Sequence, residues 1–261
     1  MPAPRNGFKA ALREDRCLLG LWLALGEGYT AEICAGAGFD WVLVDGEHGP
    51  NDVRSILRQM QAIALTDSHA VVRPPVGEEW ILKQILDIGA QTILVPMIES
   101  AEQAAAVARA VRYAPGGRRG IGAALARASA FNRIPDYLSS ADEEICLLLQ
   151  IESRAGLAAL DEILAVDGVD GLFVGPADLA ADLGYRGNPG HPAVQEEVRA
   201  ALRKIAAAGK PAGILSSDVA LSQSYVALGA RFVAIGSDVG ILAGGTRRLL
   251  EDFRAGMKGG T

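Results

Sequence analysis

The chain has 261 residues, half of them hydrophobic, with 25 Lys and Arg against 31 Asp and Glu and a formal net charge of −6. That composition supports a sizeable core and argues against a nucleic-acid surface, because phosphate binding needs concentrated Lys and Arg. No apolar run reaches transmembrane length, and MPAPRNGFKAALRED at the N-terminus holds no long apolar segment. A soluble cytoplasmic protein with no membrane contact is therefore expected. Cys17, Cys34 and Cys146 are odd in number and far apart, which suits buried thiols in a reducing compartment better than a disulfide frame or a zinc site.

Apolar, strand-like runs alternate with amphipathic stretches from end to end. LLGLWLA (18–24) and WVLVD (41–45) come first, and DVRSILRQMQAIA follows with apolar residues at helical spacings of three and four. AVVRP (70–74) leads into EEWILKQILDIG, a second helical pattern, and then TILVPM (92–97). Residues 114–140 are the one long irregular stretch, of a length usually functional or interfacial. They follow a helix, so barrel order places them away from the active face, with Arg118 and Arg119 expected in solvent. ICLLLQIE (145–152), GLFVGP (171–176), AGILS (212–216) and FVAIGSD (232–238) complete eight strands. AVQEEVRAALRKIAAAG, between the sixth and seventh, ends in the Gly that a helix C-cap favours.

Continuously apolar strands alternating with helices imply a parallel sheet covered on both faces. Eight units at this length predict a closed (β/α)8 TIM barrel of one domain over residues 1–261, a fold that typically takes about 250 residues. The rival, an open doubly wound sheet, usually begins with a G-x-G-x-x-G turn, and none follows the first strand.

A barrel places its chemistry at the C-terminal ends of the strands. There the sequence brings Asp45, Glu47 and His48, then Arg73, then Gln150 and Glu152, then Asp178, and finally Leu215 and Asp238. Glu152 and Asp178 leave neighbouring strands, which lie about 4.8 Å apart. Two carboxylates that close repel unless a cation lies between them, and a site with two protein oxygens suits Mg²⁺ or Mn²⁺. The plainer reading is a salt bridge, or for Asp178 a helix N-cap. His48, with Asp45 nearby, suits a general base. Arg73 could hold a substrate carboxylate or a developing oxyanion, or form a structural pair with a neighbouring acid. IGSDVG after the eighth strand could bind phosphate, though an ordinary turn is preferred. None of the five lysines (Lys9, Lys83, Lys204, Lys210, Lys258) occupies a strand's C-terminal end, which argues against Schiff-base catalysis.

DGEHGPND, RPP, LDIGAQTILVPMIES, RRGIG…ARAS, QIES and GLFVGPADLA together resemble the HpcH/HpaI aldolase family, and the resemblance runs nearly the whole chain. Members include 4-hydroxy-2-oxoheptane-1,7-dioate and 2-keto-3-deoxy-sugar-acid aldolases, metal-dependent (class II) pyruvate aldolases on a (β/α)8 barrel. The resemblance implies reversible cleavage of a 4-hydroxy-2-oxo acid to pyruvate, or a hydroxypyruvate-like 2-oxo acid, and an aldehyde through a metal-stabilised enolate. It implies one divalent ion per subunit (Mg, Mn or Co) on Glu152 and Asp178, and Gln150 with Ala177 and Asp178 holding the 2-oxo acid. His48 matches the base, Arg73 the enolate stabiliser, and Asp87 an acid that raises the basicity of the histidine. Topology alone favours Asp45 in that last role, so both stand. Leu215 is placed to touch the aldehyde, and Glu47 has no assigned role. The resemblance also implies a hexamer, a trimer of dimers with exchanged C-terminal helices, with which VGILAGGTRRLLEDF is compatible. A 2-oxo acid decarboxylase or another C–C lyase on the same enolate chemistry is the alternative. A non-catalytic binding barrel would be expected to have lost the base or a metal acid, and this chain keeps them.

Overall fold

The computed structural model describes residues 1–14 and 16–258, except the side chain of Lys258. The strands are β1 (Leu18–Leu23), β2 (Trp41–Asp45), β3 (His69–Arg73), β4 (Thr92–Val95), β5 (Cys146–Ile151), β6 (Gly171–Val174), β7 (Ala212–Leu215) and β8 (Ala230–Ser237). The helices are α1 (Gly7–Ala11), α2 (Gly28–Ala35), α3 (Val53–Ile63), α4 (Glu79–Asp87), α5 (Ala101–Ala110) and α6 (Tyr137–Ser140). They continue with α7 (Arg154–Ala158), α8 (Leu160–Leu164), α9 (Pro176–Asp182), α10 (Pro192–Ala207), α11 (Val219–Ala227) and α12 (Asp238–Lys258). Each strand pairs in parallel with the next and β8 returns to β1, closing the (β/α)8 barrel. Predicted strands end within a few residues of the observed ones; β4 stops at Val95, before Pro96, which has no N–H to donate to a ladder.

Side-chain alternation along each strand divides the core in two. Val42, Val44, Val72, Ile93, Leu147, Leu149 and Val174 face outward and pack under the helices. Leu18, Trp41, Leu43, Val71, Leu148, Phe173 and Phe232 fill the barrel interior. The floor is closed by α1, an element the sequence pattern did not signal. Phe8 lies edge-on to Trp41 and Phe232, with ring centroids 5.9 and 6.0 Å away. Asn6 anchors this plug by donating to the Gln91 carbonyl (3.2 Å), Thr92 Oγ1 (3.0 Å) and the Glu144 carbonyl (3.0 Å). His69 lies at this closed end beside Phe8, as its place at a strand start predicts.

The same alternation carries inward-facing positions up to the open end. Above Trp41 and Leu43 comes Asp45, above Val71 comes Arg73, above Leu148 comes Gln150, and Gly213 is followed inward by Leu215. The polar layer is thus a continuation of the apolar one, two residues further along each strand.

Residues 114–140 form a bridge (Tyr113 with Arg119), a short 3-10 turn (Arg127–Ser129) and α6. Arg127 donates to the Ile88 carbonyl (3.0 Å), so the segment packs at the C-terminal end of α4, opposite the mouth. Arg118 is exposed as expected, but Arg119 is not. Its side chain is fully buried, paired with Asp87 (2.8 Å) and stacked over Tyr113 at 4.4 Å. An acid on Nη2 and an aromatic face together offset part of the desolvation of that charge, while Nε and Nη1 stay buried without a hydrogen-bond partner among the described residues. Among the described residues, no helix is long and apolar enough to cross a membrane.

Gly20 faces inward beside Trp41, and a Cβ there would come within 2.1 Å of the indole. Trp41 cannot easily retreat, because its Nε1–H donates to the Leu18 carbonyl at 3.1 Å. Gly20→Ala should therefore destabilise the barrel by about 1–3 kcal/mol, the usual cost of overpacking. A denaturant midpoint equal to that of the parent would show that the ring moves freely.

Candidate active site

Asp45 and Arg73 are register partners on β2 and β3, so their side chains leave the ladder side by side. Arg73 Nε donates to Asp45 Oδ1 (2.9 Å) and Nη2 to Oδ2 (2.7 Å), a bidentate fork with both side chains buried. Trp22 supports it twice, donating its Nε1–H to Asp45 Oδ2 (3.1 Å) and lying 4.9 Å beneath the guanidinium. Burial alone would push the Asp45 carboxyl up. The hydrogen bonds and charge of Arg73 outweigh it and hold the group below the usual carboxylate range. The structural-pair reading of Arg73 is therefore observed, and its outer edge still faces the mouth.

Asp45 Oδ1 also accepts the backbone N–H groups of Glu47 (3.0 Å) and His48 (3.3 Å), which folds the GEHG turn over the end of β2. Both carboxylate oxygens are thus engaged, and Asp45 meets His48 through backbone only. Asp87, the other expected partner, ends α4 at the opposite end of the barrel and pairs with Arg119. Neither acid touches the imidazole within this chain. The acid beside it is Glu47, whose Oε2 lies 3.9 Å from His48 Nε2 and 2.7 Å from Arg73 Nη1. His48 itself projects into the mouth, its side chain 67% exposed.

Across the mouth, Glu152 is 3% exposed. Its Oε1 accepts the N–H of Met97 (2.9 Å), a residue held at φ 55°, and its Oε2 accepts from Gln150 Nε2 (2.5 Å). Burial pushes the Glu152 carboxyl up, and the charges of Glu47 and Asp178 add to it, against the lowering effect of those two hydrogen bonds. A Cβ at Gly175 would meet Glu152 Oε2 at 2.5 Å, so only glycine lets the start of α9 approach this carboxylate. Asp178 lies in the first turn of α9, which begins at Gly175 and Pro176. It is not the N-cap that the sequence allowed; its side chain is exposed and makes no hydrogen bond or ion pair to a described residue. The oxygen-only donor set of Glu152 and Asp178, one arm fixed and the other free, fits a hard divalent cation.

One cavity of about 420 Å³ brings together His48, Arg73, Gln150, Glu152, Ala177, Asp178 and Leu215. Asp45 supports it from below and Asp87 is remote. A larger cavity, about 640 Å³, lies under the N-terminal segment at the closed end and contains no Asp or Glu. Trp22 and Phe173 also line the mouth, as does Tyr225, whose hydroxyl donates to Gln195 Oε1 at 2.8 Å. Strand alternation could have placed the first two there. Asp238 accepts the backbone N–H groups of Ala24 (2.9 Å) and Leu25 (3.1 Å), tying β8 to β1 and placing negative charge where a phosphate would sit.

Residues 18–244 match the HpcH/HpaI aldolase/citrate lyase family. The chain belongs to that family. A hydroxypyruvate/pyruvate aldolase from Agrobacterium fabrum is 55% identical over 98% of this chain and 96% of its own length. A 4-hydroxy-2-oxo-heptane-1,7-dioate aldolase from Salmonella arizonae is 53% identical over 97% of each. Among solved structures, an HpcH/HpaI aldolase/citrate lyase family protein from Burkholderia cenocepacia superposes with a TM-score of 0.92 at 41% identity, covering 95% of this chain and 99% of that one. The matched range includes every mouth residue described above and leaves out the α1 plug at the closed end.

Asp45→Asn should cost about 3–5 kcal/mol at neutral pH, because it leaves Arg73 buried with half its partner. The Asp45 carboxyl is depressed in the folded state, so its contribution is complete above the ordinary carboxylate range, about pH 3.9, and is lost as pH falls through the depressed value. Urea unfolding at fixed protein concentration should show the gap between parent and variant closing in acid. A gap that widens on acidification would contradict the assignment.

Proposed function

We propose that the chain is a divalent-metal-dependent pyruvate aldolase, a carbon–carbon lyase that reversibly cleaves 4-hydroxy-2-oxo acids to pyruvate or hydroxypyruvate and an aldehyde. The observation that carries this reading is the meeting in one mouth of a buried carboxylate, a free carboxylate, an exposed imidazole and an immobilised guanidinium. Glu152 and Asp178 would hold the ion (Mg, Mn or Co, one per subunit), which when bound supplies a Lewis acid for the oxygens of a 2-oxo acid. Gln150 and the backbone of Ala177 and Asp178 line the same wall and orient that acid.

His48 takes the proton of the substrate's 4-hydroxyl. The C3–C4 bond then breaks, its electrons form the enolate double bond between C2 and C3, and C4 leaves as the aldehyde carbon. Protonation of C3 completes the 2-oxo acid. Arg73, held still by Asp45, contributes fixed positive charge as the enolate develops, without reorganisation at the moment of reaction. Leu215 faces the departing aldehyde from the end of β7. A single barrel domain would serve the whole chain.

The assembly we propose is a trimer of dimers with α12 exchanged between subunits. Ile241, Leu242, Leu249, Phe253 and Met257 are exposed on that helix, an apolar surface of the kind that marks an interface. A cytoplasmic location agrees with the free thiols of Cys17, Cys34 and Cys146.

Pyruvate release from a 4-hydroxy-2-oxo acid should be abolished by a strong chelator and restored by Mg²⁺ or Mn²⁺. Full activity after chelation, or inactivation by borohydride in the presence of pyruvate, would remove the class II assignment. Parallel product analysis with oxaloacetate separates aldol cleavage from decarboxylation. His48→Ala should lower kcat by roughly 10²–10⁴-fold, the range for loss of a general base, while metal still binds. Near-parental turnover in that variant would exclude His48 as the base.

A further inference from the structure

The charged side chains lining the mouth cavity, His48, Arg73, Glu152 and Asp178, follow β2, β3, β5 and β6. Among the described residues, the end of β7, α11 and the chain leading into α10 add only neutral groups to that lining, among them Leu215, Ser217, Tyr225, Gln195 and Pro189. Pro189 belongs to the loop between α9 and α10, which is stitched to itself. Gly184 and Gly187 turn it at φ 90° and 78°, and Tyr185 stacks on His191 with ring centroids 3.8 Å apart. His191 Nδ1 in turn caps α10 by accepting the Ala193 N–H (3.2 Å).

A relay of two hydrogen bonds links this loop to α11. Gln195 Nε2 donates to the Pro189 carbonyl (2.8 Å), and the Tyr225 hydroxyl donates to Gln195 Oε1 (2.8 Å). A carbonyl only accepts, which fixes the amide with its nitrogen toward Pro189 and its oxygen toward Tyr225. The tyrosine proton is committed in the same way, because the amide oxygen cannot donate. Burial pushes the Tyr225 hydroxyl up, so it keeps that proton at neutral pH. Two capacities are left over, the second N–H of the Gln195 amide and a lone pair on the Tyr225 oxygen. Neither has a partner among the described residues, and both side chains line the cavity. A hydroxyl group satisfies such a pair, since it accepts and donates at once. A carboxylate would bring a second lone pair against the tyrosine oxygen, and an alkyl group would leave both capacities unmet.

We propose that Gln195 and Tyr225 set the choice of aldehyde by reading a hydroxyl on it. The Gln195 N–H donates to the hydroxyl oxygen, and the hydroxyl proton goes to the Tyr225 oxygen. The inference rests on the aldolase reading and adds the class of the second substrate, an uncharged hydroxyaldehyde. Leu215 packs against its carbon chain, and Pro189, held by the relay, closes the side opposite. Losing either polar partner therefore removes a bond to the hydroxyl and releases that wall.

The test measures aldol synthesis from pyruvate by the full-length, Mg²⁺-loaded enzyme with two racemic aldehydes. One is glyceraldehyde; the other is 2-methylbutanal, which has carbon where glyceraldehyde has its hydroxyl oxygens. Intrinsic reactivity cancels when the ratio of kcat/KM for the two aldehydes in a variant is divided by the parental ratio. Tyr225→Phe and Gln195→Met keep most of the side-chain bulk, and each should lower the preference for glyceraldehyde by about tenfold, the loss of a neutral hydrogen bond with its partner stranded. The change should lie in KM for glyceraldehyde, with KM for pyruvate within about twofold of the parent. General damage to the fold slows both aldehydes alike and leaves the ratio where it was. A ratio within about twofold of parental in either variant overturns the proposal, as does an equal rise in KM for pyruvate. Failure of the aldolase reading shows differently, as the absence of any chelator-sensitive product from the parent with either aldehyde.

Discussion

The Asp45–Arg73 fork is the interaction on which the open end of the barrel depends. It joins two adjacent strands at the same register, and both partners are buried, so neither can be removed without stranding the other. Trp22 extends the pair to a third strand through one hydrogen bond and one cation–π contact. The backbone bonds from Glu47 and His48 to the same carboxylate then shape the turn that presents the imidazole. Arg73, meanwhile, is a cation whose position is set before any substrate arrives.

This fork stands on a dry floor. Trp41, Phe173, Phe232 and Phe8 fill the barrel below it with close, apolar ring contacts. Low polarizability on that side strengthens every charge interaction in the layer above. Inward positions change from apolar to ionisable within two residues along β2 and β3, so the packed core and the reactive surface are consecutive layers of one alternation.

That alternation explains what could be read from the sequence and what could not. The eight strands and the gathering of His48, Arg73, Gln150, Glu152, Asp178 and Leu215 followed from apolar runs and from what stands at their ends. Partner choice did not, because proximity along the chain says nothing about where lone pairs point. Asp45 is three residues from His48, yet strand parity turns its carboxylate inward to Arg73 and leaves only backbone contact with the histidine. Asp178 had the composition of an N-cap, but Gly175 and Pro176 start the helix earlier and free its side chain. Arg119 looked like a solvated loop charge because its partners, Asp87 and Tyr113, come from other parts of the chain. The α1 plug has too few residues to show a periodicity.

The charge balance of the mouth follows from the same geometry. Glu47, Asp45, Glu152 and Asp178 face a single arginine and one exposed histidine. Arg73 gives two hydrogen bonds to Asp45 and an ion-pair contact to Glu47, so it has little left for the far wall. Glu152 must then rely on neutral donors, the Met97 backbone and the Gln150 amide, in a buried position beside other negative charges. A stability argument alone would replace such a carboxylate with an amide or an apolar group. Such a carboxylate fits a site completed by positive charge from outside the chain, to which the free carboxylate of Asp178 on the adjoining helix would add a second arm under the proposed function. Under the proposed function, the negative excess on one wall and the fixed guanidinium on the other would divide the work: one side would recruit a cation, and the other would stabilise charge that develops only during reaction.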